Sequence, residues 1–187
     1  MQINNKLELR IVSGKYRRRK IFAPNIVDVR PTKDRIREAL FSSLGNISNL
    51  SILDLYAGSG AISLEALSRG AASATLVDIN KESIKCIKDN FKSLNVEEDY
   101  EILFMSDILA LNKFKEENKS FDIIYLDPPY QKGKYIDIIN FILENNIINN
   151  NGIIISESNY ELDIDENLFS KHKKHKYGEI IINIYWR

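Results

Sequence analysis

Residues 51–60 read Ser-Ile-Leu-Asp-Leu-Tyr-Ala-Gly-Ser-Gly, an apolar strand that runs into a turn with two glycines. A helical segment follows near residues 60–69. A strand–glycine turn–helix unit is typical of sheets that bind nucleotides at the carboxyl ends of their strands. The dinucleotide fingerprint needs Gly or Ala three positions after the second glycine, where this chain has Ser63. The turn therefore predicts a nucleotide-like ligand but disfavours NAD and FAD.

From this stretch onward, apolar strands alternate with helical segments. The strand candidates are residues 52–56, 74–77, 102–105, 121–126 and 152–156, and the helical segments lie near residues 60–69, 81–94, 107–118 and 134–146. This alternation predicts a parallel sheet covered by helices on both faces. Residues 174–177 and 180–186, with a turn at Gly178-Glu179 between them, predict an antiparallel hairpin that closes one sheet edge.

The segment before the glycine turn is basic. Residues 9–12 and 18–22 predict a short hairpin around Ser13-Gly14-Lys15, and a helix is expected between Thr32, as N-cap, and Gly45. The 187-residue chain has a net charge of zero, but residues 1–37 hold 11 basic and three acidic residues and so carry +8. Such asymmetry indicates a contact with nucleic acid, and the alternative is a solvated surface loop.

Three acidic residues follow or end successive predicted strands. Asp54 precedes the glycines, Asp78 ends the second strand, and Asp107 follows the third. A carboxylate beside the glycine turn would repel a pyrophosphate but attract a cation, and one at the second strand end can accept ribose hydroxyls. A ligand with ribose, adenine and a positive group fits this set, which predicts S-adenosylmethionine. Each aspartate could instead be a helix cap or a turn residue.

The fourth strand ends in Asp127-Pro128-Pro129-Tyr130. The two prolines predict a stiff, non-helical turn that presents carbonyl and carboxylate acceptors, because proline has no N–H and restricts its neighbour. Such acceptors, beside an aromatic ring, suit the exocyclic amine of a planar base. The alternative is a loop that merely terminates a strand.

These motifs resemble a known family. Asp127 to Tyr130 and Asp54-x-x-x-Gly58-x-Gly60 resemble the amino-methyltransferases of nucleic acids. The stretch Arg10-Ile-Val-Ser-Gly-Lys-Tyr-Arg-Arg-Arg19, with Arg30-Pro-Thr32 and Arg37-Glu-Ala-Leu-Phe41, is similar to the bacterial 16S ribosomal RNA guanine-N2 methyltransferases of the RsmD type. The resemblance implies a doubly wound α/β fold: a mostly parallel, seven-stranded class I methyltransferase (Rossmann-like) sheet.

The resemblance also implies roles for individual residues. The target guanine is expected at Asp127, Pro128, Pro129 and Tyr130, and the cofactor at Asp54, Tyr56, Gly58, Gly60, Asp78, Ile79, Asp107 and Ile108. The basic residues expected to contact RNA are Lys15, Arg17, Arg18, Arg19, Lys20, Arg30 and Arg37.

The predicted reaction is methyl transfer from S-adenosylmethionine to N2 of a guanine in small-subunit ribosomal RNA, within the assembling or assembled 30S subunit. Two alternatives stay open: a DNA adenine-N6 methyltransferase, which would use the same four-residue loop, and a non-catalytic RNA-binding assembly factor. We expect one domain, residues 1–187, with a basic extension over residues 1–29 and a catalytic core over residues 30–187.

Cofactor and compartment expectations follow from what the sequence contains. The single cysteine, Cys86, and the absence of a long apolar run favour a cytoplasmic protein without a membrane segment or a metal. His172 and His175 are a weak metal signal beside their lysine neighbours, and a solvated surface is the preferred interpretation. No role is predicted for residues 161–174.

Overall fold

The computed structural model describes residues 7–26, 32–128 and 134–187. In chain order, the strands are β1 (Glu8–Arg10), β2 (Lys20–Phe22), β3 (Ser51–Asp54), β4 (Ser73–Asp78), β5 (Asp99–Phe104), β6 (Phe121–Leu126), β7 (Ile148–Ser158), β8 (Lys171–Tyr177) and β9 (Ile180–Trp186). The helices are α1 (Asp34–Leu44), α2 (Ala61–Ser68), α3 (Lys81–Leu94), α4 (Asp107–Glu116) and α5 (Lys134–Glu144), and a 3-10 turn covers Glu166–Leu168.

Seven strands form one sheet in the order β5-β4-β3-β6-β7-β9-β8. The pairs from β5 to β7 are parallel, and β9 runs antiparallel to both β7 and β8. The predicted doubly wound sheet and its C-terminal hairpin are therefore confirmed. The chain moves outward from β3 to β5 and then returns to β6 on the other side of β3, which creates the strand reversal where such sheets bind ligands.

Two apolar layers cover the sheet. One contains buried side chains of α1, α2, α3 and the N-terminal hairpin, and the other contains those of α4 and α5. The central strands β3 and β6 are buried on both faces, which is why they read as continuous apolar runs in the sequence. Among the described residues, no helix is both long and apolar enough to cross a membrane.

The N-terminal hairpin forms, but its strands are shorter than predicted. Only three residues on each side pair, from Glu8 opposite Phe22 to Arg10 opposite Lys20. The connecting loop instead packs on the end of α2, where the backbone N–H of Lys15 donates to the carbonyl of Ser68 at 2.8 Å. A Cβ on Gly14 would lie 1.7 Å from that carbonyl oxygen, so only glycine allows this approach.

The start of α1 corrects a prediction. Lys33, not Thr32, occupies the N-cap position, and no side chain caps the helix there. The Thr32 hydroxyl instead donates to Glu157, which lies across the sheet on β7. The predicted helix end is confirmed, since Gly45 takes a positive φ of 76° after Leu44. The predicted boundary between extension and core, residue 29 to residue 30, lies outside the described residues.

Candidate active site

A cavity of about 450 Å³ opens beyond the carboxyl ends of β3, β4 and β6. This volume is within the range of small-molecule sites. The predicted site residues that line it are Asp54, Tyr56, Gly58, Asp78, Ile79, Asp107, Asp127 and Pro128. The fold therefore brings the glycine turn and the first two residues of the predicted proline loop, Asp127 and Pro128, into one cavity.

The glycine turn has the backbone geometry that its sequence predicts. Gly58 and Gly60 both have positive φ, 54° and 75°, a conformation that side chains with a Cβ rarely adopt. A Cβ on Gly58 would meet nothing within 4 Å, so its backbone faces open space. A Cβ on Gly60 would lie 3.1 Å from the Phe91 ring, so this glycine serves the packing of the turn.

Asp78 is fixed by the glycine turn itself. Its Oδ2 accepts the backbone N–H of Gly58 at 2.8 Å, and its Oδ1 accepts that of Asn80 at 2.7 Å. The carboxylate is half-buried at the end of β4 and lines the cavity. Both of its oxygens are thus oriented by main chain, and each keeps a lone pair for a further donor.

Asp54 is the most deeply buried acid of the glycine turn. Its side chain is only 1% exposed, and its Oδ2 accepts the Ser63 hydroxyl at 3.0 Å. Burial raises the pKa of Asp54 to about 7; the Ser63 hydrogen bond opposes this rise, and the nearby Asp78 carboxylate adds to it. A positive ligand in the cavity would favour ionisation of Asp54.

Asp107 lies at the first position of α4, and Ser106 is the residue that caps this helix. The Asp107 Oδ2 accepts the Tyr56 hydroxyl at 2.5 Å and pairs with Lys134 Nζ at 2.8 Å. Burial alone would raise the pKa of Asp107, but the hydrogen bonds from Lys134 and Tyr56 outweigh burial and lower it. Asp107 is therefore held as an anion at the cavity wall.

Two of the described cofactor candidates do not line the cavity. Gly60 lies behind the turn, and Ile108 is 53% exposed outside the lining. Ile79, 69% exposed, does line it and offers an apolar surface next to Asp78. Gly60 supports the turn, whereas nothing in the structure places Ile108 at the cavity.

Asp127 and Pro128 directly follow β6 and also line the cavity. Asp78 ends β4, which lies on the other side of β3, so the two sets of residues lie at opposite ends of the cavity. Burial raises the pKa of Asp127 well above its usual range, and the carboxylates of Glu157 and Asp54 raise it further. The other two residues of the predicted loop, Pro129 and Tyr130, lie outside the described residues. Their roles remain predictions.

Sequence reasoning missed a polar cluster beneath Asp127. The carboxylate of Glu157 accepts hydrogen bonds from the Tyr125 hydroxyl and, at 2.8 Å, from the Thr32 hydroxyl. Thr32 and Tyr125 also line the cavity. The sequence could have predicted that Tyr125 lies near Asp127, because side chains two positions apart on a strand lie on the same face. Nothing in the sequence linked Thr32 to Glu157, which are 125 positions apart.

The basic arm is only partly free to meet a phosphate. Lys15 pairs with Glu97 and Glu98, Lys20 pairs with Glu8, and the Arg19 guanidinium donates to the carbonyl of Ser93 at 3.0 Å. Within the described ranges, the exposed side chains of Arg17 and Arg18 make no ion pair or hydrogen bond. These two arginines lie in the connecting loop of the hairpin, after the part that packs on α2, and we call the pair the hairpin tip. Arg30 lies outside the described residues.

Arg37 corrects the predicted RNA surface. Its side chain is completely buried, and it donates to the carbonyl oxygens of Thr32 and Arg10 at 2.7 and 2.5 Å and to Asp34 at 2.9 Å. A guanidinium that is enclosed in this way cannot reach a phosphate. Arg37 is instead an internal tie between the N-terminal hairpin and α1.

The C-terminal histidines are engaged in other contacts. His172 lies 2.8 Å from Glu166 and 3.0 Å from Asn183 and stacks on Tyr185. Across residues 7–26, 32–128 and 134–187, no group of three or more His, Cys, Asp and Glu side chains is placed to hold a metal ion.

Known proteins resemble this chain over nearly its whole length. Residues 9–186 match a family model described as Conserved hypothetical protein 95. Ribosomal RNA small subunit methyltransferase D of Buchnera aphidicola subsp. Acyrthosiphon pisum (strain APS) is 40% identical over 148 residues, which are 79% of this chain and 76% of the relative. The protein of the same name from Escherichia coli (strain K12) is 31% identical over 183 residues, 96% and 90% of the two chains.

A solved structure is also similar to this chain over nearly its whole length. It is described as a putative methyltransferase, yhhF, from Escherichia coli, and it is 29% identical with a TM-score of 0.81. The similarity covers 97% of this chain and 98% of that one. The sheet, the N-terminal hairpin and the glycine turn of this chain therefore all lie within the part that is similar to the solved structure.

Proposed function

This chain belongs to the family described as Conserved hypothetical protein 95, and on that premise we propose that it methylates N2 of a guanine in small-subunit ribosomal RNA, with S-adenosylmethionine as methyl donor. One observation carries the proposal. A single cavity joins a glycine turn with fixed carboxylates to an Asp-Pro loop that presents acceptors for an amine. The relatives named Ribosomal RNA small subunit methyltransferase D supply the class of substrate.

The residues at the glycine end fit S-adenosylmethionine. The open backbone at Gly58 permits close approach, and the Asp78 carboxylate is oriented to accept ribose hydroxyls. Asp54 and Asp107 add negative charge to the cavity wall, which favours a cationic ligand over a phosphate. When bound, this cofactor supplies a methyl group on a positively charged sulfur, which is already activated for transfer.

The residues at the other end fit an aromatic amine. The Asp127 carboxylate and the carbonyl of Pro128 are acceptors next to the cavity, and proline offers no competing N–H at position 128. Two acceptors can hold the two N–H groups of the amine and thereby orient its nitrogen towards the methyl group. Alignment of this kind can contribute about 7–11 kcal/mol to a rate enhancement. From the sequence, Pro129 and Tyr130 would complete the loop, with Tyr130 stacked on the base.

Asp127 also has a role in proton balance. The amine nitrogen gains a methyl group and must lose one proton, and the Asp127 carboxylate is the acceptor in hydrogen-bond reach of the bound amine. Burial and two neighbouring carboxylates raise the pKa of Asp127, which makes it a stronger base than an ordinary aspartate. The base must leave its stack to reach this position, because an amine within a paired stem cannot face the donor.

The hairpin tip supplies the proposed RNA contact. Arg17 and Arg18 are exposed there, and Pro24 and Ile26, which follow the hairpin in the chain, line the cavity. Phosphate contacts at the tip would position the RNA without reading its sequence. We place the reaction in the cytoplasm, on the 30S subunit or its assembly precursor.

A labelled-methyl assay tests the proposal. Purified small subunits that lack the modification are incubated with the protein and labelled S-adenosylmethionine, and the nucleosides are then analysed. We expect N2-methylguanosine, and we expect Asp127→Asn to abolish it without loss of cofactor binding. N6-methyladenine as the product would contradict the proposal and favour the adenine-N6 methyltransferase. No product from the wild-type protein, with RNA binding that is intact in both the wild type and Asp127→Ala, would favour the non-catalytic RNA-binding factor.

A further inference from the structure

A second buried carboxylate accompanies Asp127 at the strand ends. In the parallel pairing of β6 with β7, Leu126 lies opposite Ser156. The next position on β6 is Asp127, directly after the strand, and the next on β7 is Glu157, which is still within its strand and paired with Ile182 of β9. Paired positions in a sheet share one face. Glu157 is only 6% exposed, so water cannot screen its charge from that of Asp127.

Glu157 is held by three separate parts of the chain. Its carboxylate accepts hydrogen bonds from the hydroxyls of Thr32 and Tyr125, and its backbone carbonyl accepts one from the hydroxyl of Tyr135 on α5. Thr32 precedes α1, and Tyr125 lies on β6. These contacts fix both the main chain and the side chain of Glu157 behind the residues that line the cavity.

The charges around Asp127 are mostly negative. Asp54 faces it from β3, Glu157 from β7, and the Tyr125 hydroxyl lies on its own strand. In the part of the chain that the structure describes, no Lys, Arg or His nitrogen lies within 4.0 Å of either Asp127 or Glu157. The positive charge that acts on Glu157 is that of Arg37 on α1, whose hydrogen bonds go to other groups.

We propose that Glu157 is a positioning residue of methyl transfer: its fixed carboxylate makes Asp127 a stronger acceptor for the proton that the amine loses. The inference deepens the proposed function and rests on it. Glu157 does not line the cavity and so acts on the reaction through Asp127 rather than on the substrate.

The electrostatics of the pair agree with this geometry. After burial, Glu157 is the strongest influence that raises the pKa of Asp127. Burial also raises the pKa of Glu157, while the hydrogen bonds from Tyr125 and Thr32, and the charge of Arg37, oppose that rise. Two like charges at short range resist simultaneous ionisation, and a cationic ligand in the same cavity offsets this resistance. The ionised pair is then a strong base beside the amine.

The test is the pH profile of methyl transfer in Glu157→Gln. Glutamine keeps the acceptor for Thr32 and Tyr125 but removes the charge, so the pKa of Asp127 should fall. We expect the acidic limb of kcat to move to lower pH by about one unit or more. We also expect kcat on the plateau to fall several-fold, since a weaker base accepts the proton less readily, with KM for RNA unchanged.

Two further variants separate charge from folding. Glu157→Asp keeps the charge, so its acidic limb should lie nearer to that of the wild type than to that of Glu157→Gln. Glu65→Gln is the control for loss of a buried carboxylate elsewhere, because Glu65 is also buried and lies on α2. It accepts the backbone N–H groups of Val12 and Ser13 and pairs with Arg69. Its limb should not move. An unmoved limb in Glu157→Gln overturns the inference.

A titration of the free protein distinguishes this inference from the proposed function. Selective ¹³C labelling of aspartate carboxyls, with Asp127→Asn to assign the signal, follows Asp127 without any substrate. We expect its midpoint to fall in Glu157→Gln and to stay in Glu65→Gln. A falling midpoint without methyl transfer to any RNA contradicts the proposed function and supports the Glu157 effect. An unchanged midpoint overturns the inference, whatever the methyl acceptor is.

Discussion

The carboxylate of Asp78 accepts the backbone N–H of Gly58, with 2.8 Å between Oδ2 and the nitrogen. This bond ties the end of β4 to the glycine turn that follows β3, two strands that are neighbours in the sheet. The second oxygen, Oδ1, accepts the backbone N–H of Asn80 at 2.7 Å. The residue proposed to hold the ribose is therefore also a brace for the backbone that approaches the cofactor.

Asp78→Asn should weaken cofactor binding by about 10- to 100-fold, because a hydrogen bond to a charged group contributes about 1.5–3 kcal/mol. An amide cannot accept hydroxyl and backbone donors at both ends, since one of its two ends is itself a donor. Isothermal titration with S-adenosylmethionine measures the change. The matched control is Asp99→Asn, an exposed aspartate at the opposite end of the sheet. Equal affinities in the two variants would show that Asp78 does not contact the cofactor.

From the raised pKa of Asp54, we expect cofactor binding to release protons near neutral pH. Burial raises the pKa of Asp54 to about 7, so roughly half of the free protein carries a proton there at pH 7. A sulfonium in the cavity favours the ionised carboxylate of Asp54. The protonated fraction of Asp54 therefore loses its proton when the cofactor binds, which releases about half a proton per protein molecule at pH 7. The release from Asp54 should grow as the pH falls from 7 and should shrink only below the pKa that Asp54 has in the complex. It should also shrink above pH 8, where Asp54 is already ionised in the free protein.

Titration calorimetry in buffers of different ionisation enthalpy measures the number of protons released. In Asp54→Asn the release at pH 7 should fall by about half a proton, because asparagine mimics the protonated acid at every pH. S-adenosylhomocysteine lacks the positive sulfur and should release fewer protons than S-adenosylmethionine in the wild type. Identical proton release for the two ligands would contradict the role of Asp54 as a partner of the cationic group.

Local sequence patterns predicted most of the fold. Buried parallel strands are apolar on both faces, and this made β4 and β6 visible as continuous runs. Boundaries were less accurate where a strand carries polar residues. β7 begins at Ile148 rather than near residue 152, because Ile148 pairs with Phe121 of β6. The polar residues 149–151 lie in a register shift between this pair and the next one, Ile123 with Ile153.

Site residues were predictable where function depends on a position in a strand–turn unit. Asp54, Gly58 and Asp78 each follow or end a strand, and the parallel sheet alone brings them together. The cluster around Glu157 was predictable only for Tyr125, which shares one face of β6 with Asp127. Its other donor, Thr32, comes from a segment that only the tertiary fold brings to β7. A charge count treats every arginine as surface and therefore misplaced Arg37.

We expect removal of the two hairpin-tip arginines to reduce the affinity for RNA by an amount that depends on the salt concentration. The double variant Arg17→Ala, Arg18→Ala should weaken RNA binding and lower the slope of log K against log salt by about 1.4–1.8, since each phosphate contact contributes about 0.7–0.9. Cofactor affinity should not change. Lys113→Ala, Lys115→Ala removes the same charge from α4, on the opposite face of the sheet, and should leave the slope unaltered. Equal slopes for the two double variants would exclude the tip as the phosphate contact.

We expect replacement of Arg37 to reduce the stability of the protein rather than its affinity for RNA. The buried guanidinium of Arg37 donates to the carbonyl oxygens of Thr32 and Arg10 and pairs with the half-exposed carboxylate of Asp34. Arg37→Ala would leave the two carbonyl oxygens without this donor. Removal of one partner from a buried charged network costs about 3–5 kcal/mol, and we expect the free energy of unfolding to fall by about 3 kcal/mol. Arg37→Lys should also be destabilising, because an ammonium cannot reproduce the fork of the guanidinium.

Urea denaturation followed by circular dichroism measures this change, and Arg35→Ala is the matched control. Arg35 is exposed on the same helix, so its loss should leave the unfolding midpoint nearly unchanged. RNA affinity, measured at a temperature where Arg37→Ala is folded, should equal that of the wild type. If Arg37→Ala is as stable as Arg35→Ala but binds RNA more weakly, Arg37 reaches the surface in the complex, and its place in the internal tie between the hairpin and α1 is wrong.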